Sequence, residues 1–420
     1  MKEPRVKVAI IGNMNNNNFS ITRYLRDVGY DVTLFITNEH SHFHPSMDTF
    51  TDTYTEYVRK LNWTKDNFNQ VDVREIQSVL KDFNVFMGCG IAPAYLSKAK
   101  IQLDVFIPYG GDLYRYPYYG QNLSIRGRLS LLKGRLFNKD SKLKRKTIFS
   151  EYQRSGIKNA GHIMLGESTY QNELKRLGVE SKWKRVSIPM VHLNSYDNAT
   201  INEGFKSWKY ASILQKFRKS SDVLVLHHCR LFWKITEDFV VNSYSNRGND
   251  RFIRAFAKLI EENSKKKLQL AIVEYGPDVD STKELIKELG IEDRVLWLPL
   301  MSRKEIMLLL SIVDFAVDAV TVSGIGGGTT LETIAMGKPI LRHRDDQKHL
   351  DYESEIGLYP LMNASSENEI FRVMQEYVDD PGKFKKYGEI SKKWYINVIV
   401  SKSILFLSKV IDQKKVVNKV

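Results

Sequence analysis

Apolar positions along the chain fall into two alternating series. Val6-Lys7-Val8-Ala9-Ile10-Ile11 is a short apolar run closed by Gly12, the pattern of a parallel strand buried on both faces. From Phe19 on, Ile21, Leu25 and Val28 recur at helical spacing, and Gly29 stands where a helix C-cap belongs. The runs DVTLFI (31–36), NVFMG (84–88), LDVFIPY (103–109) and HIMLG (162–166) read as the next strands. TYQNELKRLGV (169–179) then reads as a helix and WKRVSIPM (183–190) as a closing strand. From Val191 to Ser221 the pattern turns irregular and polar, with one helical stretch around Ile213, Leu214 and Phe217, which predicts a crossing between domains.

A second alternation starts at DVLVLHHCR (222–230). Helix DRFIRAFAKLIEEN, strand LQLAIVEYG, helix STKELIKELG, strand RVLWLPL, helix SRKEIMLLLSIV and strand FAVDAV follow. A glycine-rich turn then leads into TTLETIAMG and KPILRH. Two β-α alternations predict an α/β protein of two Rossmann-like, doubly wound domains with a cleft between them. The predicted boundaries are an N-terminal domain at 1–195, a linker at 196–220, a C-terminal domain at 221–390 and a last helix at 391–420 that packs back on the first domain.

Ligands in such sheets sit beyond the carboxyl ends of the strands, so every strand-to-helix loop is a candidate site. The first is Gly12-Asn13-Met14 followed by four asparagines, which is not the G-x-G-x-x-G of a dinucleotide clamp. Asparagine amides can donate to and accept from sugar hydroxyls, while a plain flexible polar turn is the competing reading. In DAVTVSGIGGGTTLETIAMGKPIL (318–341), a strand ends in a loop with Gly324, Gly326, Gly327 and Gly328, and a helix starts near Thr329-Thr330 with Glu332 in its first turn. Clustered glycines admit a close ligand, and free N–H groups at a helix start suit a diphosphate. A carboxylate one turn in suits a ribose diol, although Glu332 could instead cap its helix.

The segments HHCRLFWK, RGNDRFIRAFAKL, LAIVEYGPD, LGIEDRVLWLPLMSRKEIMLLLSIVDFAV and GIGGGTTLETIAMGKPIL, in this order and spacing, resemble the family 4 glycosyltransferases, which have the GT-B fold. The resemblance covers roughly 222–341. It implies a retaining enzyme that moves a hexose-type sugar from a nucleotide diphosphate sugar, with UDP the suggested nucleotide, to a glycan or lipid-linked acceptor in lipopolysaccharide or capsule synthesis. Arg230 matches the family arginine that binds the donor diphosphate, and Arg247-Gly248 or Lys234 matches the basic partner. Glu332 matches the ribose glutamate. Gly324, Gly326, Gly327, Gly328, Thr329 and Thr330, with Tyr275 and Gly276, complete the implied donor site.

Two positions depart from the family. Gly324 stands where a first glutamate should touch the sugar, leaving Asp318, Ser323 or loop N–H groups to do so. In IPYGGDLY the family histidine falls on Tyr109, while Asp112 matches the aspartate. The implied acceptor side is Gly12, Asn13, Asn16, Tyr109, Asp112, His42 and His44. Two other readings stay open: a non-transferase GT-B enzyme (a nucleotide-sugar epimerase or phosphorylase) and a catalytically impaired nucleotide-sugar-binding subunit.

Composition narrows the partners. The net charge of +14 permits anionic ones, and the excess concentrates in Ser124–Lys146, where Ile125, Leu129, Leu132 and Leu136 recur at helical spacing. A solvated helix and a surface resting on anionic lipid compete for this stretch. Aromatics do not interleave with its basic residues, and nucleic acid is not expected. His40, His42 and His44 alternate, but Pro45 argues for a loop, so neither metal nor other cofactor is expected. Only Cys89 and Cys229 occur, no signal peptide pattern opens the chain, and no uncharged apolar run reaches the ~18 residues of a membrane span. The expected location is the cytoplasm, with peripheral contact at the inner face of the plasma membrane.

Overall fold

The computed structural model describes residues 6–37, 43–119, 142–166, 170–234, 246–350 and 357–417. The chain divides into two units, Met1–His192 with Ile399–Val420, and Leu193–Val398.

The first unit is built on β1 (Lys7–Ile11), β2 (Asp31–Thr37), β3 (Val58–Leu61), β4 (Val85–Gly88), β5 (Val105–Phe106), β6 (His162–Leu165) and β7 (Trp183–Arg185). All pair in parallel, in the order β3-β2-β1-β4-β5-β6-β7. The apolar run of β1 serves two cores at once. Val8 and Ile10 pack with Phe19, Ile21 and Leu25 of the helix Asn17–Asp27. Ala9 and Ile11, one pleat over, pack with Ala92, Tyr95, Phe149 and Ile157. A strand covered on both faces has no polar face, which is why its sequence reads as a run and not as an alternation. β3, with sequence VRKL, is an edge strand with two exposed positions, so no apolar run betrayed it.

The second unit repeats the scheme with β8 (Val223–His227), β9 (Leu268–Val273), β10 (Val295–Leu298), β11 (Phe315–Val317), β12 (Ile340–Arg342) and β13 (Met362–Asn363), in the order β10-β9-β8-β11-β12-β13. These pairs are parallel as well. The polar stretch after Val191 differs from the expected linker. It forms the helices Asn198–Ser207 and Ala211–Lys219, which fall within the second unit. Asp197 caps the first by accepting from Thr200 N, and its short Ile201–Phe205 stripe is buried but sits in a polar background; the second is the stretch expected around Ile213, Leu214 and Phe217, with Leu214 buried.

The helix Pro381–Trp394 runs through a π-helical turn, Tyr395–Val400, into the helix Ser401–Val417. Its last part lies in the first unit, where Leu407, Val410 and Ile411 join the core of Val8, Ile10 and Phe19. By length and composition alone Pro381–Lys415 could cross a membrane, although an uninterrupted uncharged run is absent. The apolar positions of the basic stretch, Ile125 to Leu136, lie outside the described residues, as do His40 and His42. Lys142 opens the helix Lys142–Asn159.

Two glycines with positive φ separate backbone strain from crowding. At Gly276 (φ +130°) an added Cβ would lie 2.2 Å from Leu231 O, whereas at Gly29 (φ +92°) it would meet nothing within 4 Å. Gly29→Ala should therefore cost only the strain of its conformation, about 1 kcal/mol, and Gly276→Ala more than about 2 kcal/mol. Urea unfolding of both variants measures the difference.

Candidate functional site

In an open parallel sheet the connections leaving neighbouring strands diverge where the strand order reverses, and a crevice opens beyond their carboxyl ends. In the second unit the reversal falls between β8 and β11, where His227 is paired with Val317.

Arg230 stands three residues past the end of β8, exposed, with its guanidinium 5.5 Å from the Phe232 ring centre. The half-buried Arg247 is brought to the same loop by its backbone: its N–H donates to Phe232 O (2.7 Å), and its carbonyl accepts from Val320 N (3.0 Å). Gly248 permits this approach, because a Cβ there would stand 2.6 Å from Val320 Cγ2. Buried Asn249 ties the parts together. Its Oδ1 accepts from Phe232 N (2.9 Å), and its Nδ2 donates to His227 Nε2 (3.0 Å) and to Arg230 O (3.3 Å). Lys234 is exposed; its N–H and that of Trp233 donate to Asp278 Oδ2 (2.8 and 2.6 Å). Tyr275 accepts from Leu231 N (2.6 Å), and Gly276 packs against the same residue. Arg230, Lys234, Arg247, Tyr275 and Gly276 thus border one backbone-bonded loop cluster. Asn249 and Asp278, which hold it, carry no mark in the sequence beyond their neighbourhood.

The glycine loop follows β11. The helix that leaves it is Gly328–Ala335, capped by Gly327, so Glu332 lies in the second turn and not the first. The glycines let the helix begin one residue before the threonines that the sequence had suggested. A Cβ at Gly326 (φ +145°) would stand 2.8 Å from Thr330 Cγ2, while the exposed Gly327 has open space around it. Gly324, Gly328 and Thr329 are half-buried on this loop and helix start. Thr330 is turned inward: its hydroxyl donates to Asp318 Oδ2 (2.5 Å) and accepts from Arg342 Nη1 (3.1 Å). Burial would raise the Asp318 carboxyl, yet Arg342, the Thr330 hydroxyl and more distant Arg247 hold it below its ordinary value. Asp318 therefore serves the interior. Ser323 Oγ accepts from Asp345 N (2.8 Å) and lies 3.2 Å from His349 Nε2.

Glu332 has its carboxylate engaged on both oxygens. Arg303 Nε donates to Oε1 (2.9 Å), and His228 Nε2 stands 3.4 Å from Oε2. Burial opposes its charge, but His228 and Arg303 together hold its pKa below the usual carboxylate range. Glu332 is thus a fixed, ionised acceptor and caps nothing. Arg303 opens the helix Arg303–Ile312 and reaches Glu332 across 29 positions, a contact without local sequence signal.

In the first unit the order reverses between β1 and β4. The asparagine run is a built turn. Asn15 and Asn16 take left-handed backbone (φ 51° and 56°), which asparagine tolerates. Asn13 Oδ1 accepts from Phe19 N (2.9 Å), and its Nδ2 donates to Asn16 Oδ1 (2.7 Å) and Phe43 O (3.0 Å). Asn16 Nδ2 donates to His44 O (3.4 Å), and Asn18 Nδ2 to Gly12 O (2.8 Å). These amides hold the loop, so much of their hydrogen-bonding capacity is taken up within it. The loop borders a cavity of about 570 Å3 that Gly12, Asn13, His44 and Tyr109 line. Asp112 lies behind it, accepting from Gly90 N (2.8 Å), Tyr109 N (3.0 Å) and Gly110 N (3.1 Å); complete burial pushes its carboxyl up to about 7 against these donors. Asp112 shapes the turn that presents Tyr109. Among the described residues no group of three His, Cys, Asp or Glu side chains is placed to hold a metal.

His227 makes stability depend on pH. Its Nε2 meets the Asn249 amide, and burial, then His228, push its pKa down to about 4. The unfolded chain protonates this histidine near 6.5, so it binds more protons than the folded one between about 4 and 6.5. Stability should fall as pH drops through that window, by at most roughly 3 kcal/mol. Thermal melts from pH 7 to pH 4 should show a shallower fall in His227→Gln.

Comparison with known proteins adds three findings. Residues 239–393 match the model of the family "Glycosyl transferases group 1". The alpha-monoglucosyldiacylglycerol synthase of Streptococcus pneumoniae is 35% identical over 89 residues, which are 21% of this chain and 20% of that protein. The chain thus spans about a fifth of the length of this curated relative. Among solved structures, Anabaena Alr3699/HepE in complex with UDP and glucose superposes with TM-score 0.59 at 13% identity, covering 97% of this chain and 100% of the other. UDP-GlcNAc 2-epimerase from Neisseria meningitidis bound to UDP-GlcNAc gives 0.53 at 12%, covering 97% and 100%. The chain therefore has the GT-B fold of two parallel-sheet α/β units, and its second unit carries the segment that matches the group 1 glycosyl transferases.

Proposed function

We propose that this protein is a retaining glycosyltransferase that moves a hexosyl group from a nucleotide diphosphate sugar, UDP-linked, to an acceptor hydroxyl. The observation that carries the reading is the loop cluster at the β8–β11 reversal. Arg230 and Arg247 border it, and Glu332 is held ionised beyond the glycine loop. The group 1 match over 239–393 supports it. In this reading Glu332 accepts from the ribose hydroxyls. The backbone N–H groups around Gly327 and the two arginines bind the diphosphate.

The chemistry is mainly electrostatic. Negative charge grows on the diphosphate as the glycosidic bond breaks, and fixed cations and N–H dipoles favour that change most in the transition state. The acceptor oxygen bonds to the anomeric carbon on the face the diphosphate leaves, and its proton passes to the departing phosphate oxygen. Cations of the chain do the neutralising in this scheme, so it needs no metal. With Asp318 turned inward, N–H groups of the Gly324 loop would contact the sugar.

Donor titration and turnover test the scheme. Glu332→Gln should weaken UDP-sugar binding at least about tenfold, since charge-assisted hydrogen bonds are worth roughly 1.5–3 kcal/mol. Unchanged affinity would leave Glu332 a purely structural partner of Arg303. Arg230→Ala should lower turnover by roughly 100-fold with a smaller change in donor affinity, as loss of a transition-state donor does. Turnover of the UDP-sugar without any acceptor would instead favour an epimerase.

A further inference from the structure

The cavity of the first unit has a lining unlike a site for a neutral, polyhydroxylated ligand. Met14, Ile36, Phe43, Met47 and Ile91 supply apolar walls. Its polar side chains are largely turned on one another. Asn13 is engaged through both ends of its amide, His44 Nδ1 lies 2.8 Å from Ser46 Oγ, and the Tyr109 hydroxyl lies 2.9 Å from that of Tyr116. Lys65 Nζ donates to the Tyr116 hydroxyl in turn (3.0 Å).

The charge is one-sided. Lys60, exposed on β3 at the rim, brings a cation and makes no ion pair among the described residues. None of the described lining residues is an aspartate or glutamate. His44 adds no second cation near neutrality, because burial and then Lys60 lower its pKa. Apolar walls favour a ring or chain, and a cation at their edge favours an anion next to it.

Resting on the transferase reading, we propose that this cavity takes the acceptor and that the acceptor is an amphipathic anion. Its apolar ring or chain lies against Phe43, Met47 and Ile36, and its phosphate or carboxylate meets Lys60 Nζ. The hydroxyl to be glycosylated lies toward Tyr109, whose own hydroxyl, bonded to Tyr116, stays neutral and can exchange a hydrogen bond with it.

Calorimetric titration of the full chain with three aryl probes tests this. p-Nitrophenyl phosphate and p-nitrophenyl β-glucuronide carry the two anions, and p-nitrophenyl β-glucoside carries none. At least one anionic probe should bind about tenfold tighter than the glucoside, and the better of the two identifies the source of the charge. Lys60→Gln should abolish that preference and leave the glucoside unchanged. Met47→Asp should weaken all three tenfold or more. Neither variant should alter UDP-glucose affinity, which separates this site from the donor site. Equal or tighter binding of the glucoside, a preference that survives Lys60→Gln, or no binding of any probe at millimolar concentration would overturn the proposal. Anion preference in a protein that binds no nucleotide sugar would keep the ligand class and remove the transferase reading alone.

Discussion

Both units depend on one geometric constraint. Where the strand order of a parallel sheet reverses, the chain must leave two hydrogen-bonded neighbours in opposite directions. β8 and β11 do this in the second unit, β1 and β4 in the first. The backbone there cannot close over the gap with sheet hydrogen bonds, so side chains and short turns must satisfy it. Asn249 and Asp278 do so in one unit, Asn13, Asn18 and Asp112 in the other. Polar residues at these positions are structural first. The ligand-facing groups are those left over.

That division sorts the charges. Asp318, Arg342 and Arg303 are buried and engaged within the protein. Arg230, Lys234 and Lys60 are exposed, and Arg247 is half-buried. What the loops leave to a ligand is therefore mainly positive, which suits phosphate in the second unit and an anionic group in the first. Glu332 is the counterexample. Removing Arg303 or His228 would leave its charge buried with less compensation, a defect that costs several kcal/mol in comparable buried pairs.

The sequence revealed the double α/β alternation because central parallel strands must be apolar on both faces. It did not reveal β3 or β13, an exposed edge and a pair of residues, nor the helix Asn198–Ser207, although the stretch around Ile213, Leu214 and Phe217 did read as the helix that follows. The loops that hold candidate chemistry were legible from strand ends and glycines: Arg230, Arg247, Glu332, Gly12 and Tyr109 all lie at strand-end loops or the helices that leave them. The sense of individual side chains was not. Thr330 looked like a ligand contact and faces inward, and the amide of Asn13, though it lines the cavity, is engaged at both ends, because a hydroxyl or amide beside an unsatisfied backbone or buried carboxylate is captured locally. Arg303, His228 and Lys60 were missed because their partners and surroundings come from distant segments.

The return of the chain to its first unit has a consequence for biosynthesis. Leu193–Val398 is interposed within the sequence of the first unit, whose core also needs Leu407, Val410 and Ile411. Every residue of the second unit leaves the ribosome before those three. Until they emerge, the first unit waits with Val8, Ile10 and Phe19 short of their last packing layer. A ribosome whose exit tunnel still holds Leu407–Ile411 would thus carry a first unit with an uncovered apolar face, the species on which a chaperone would act.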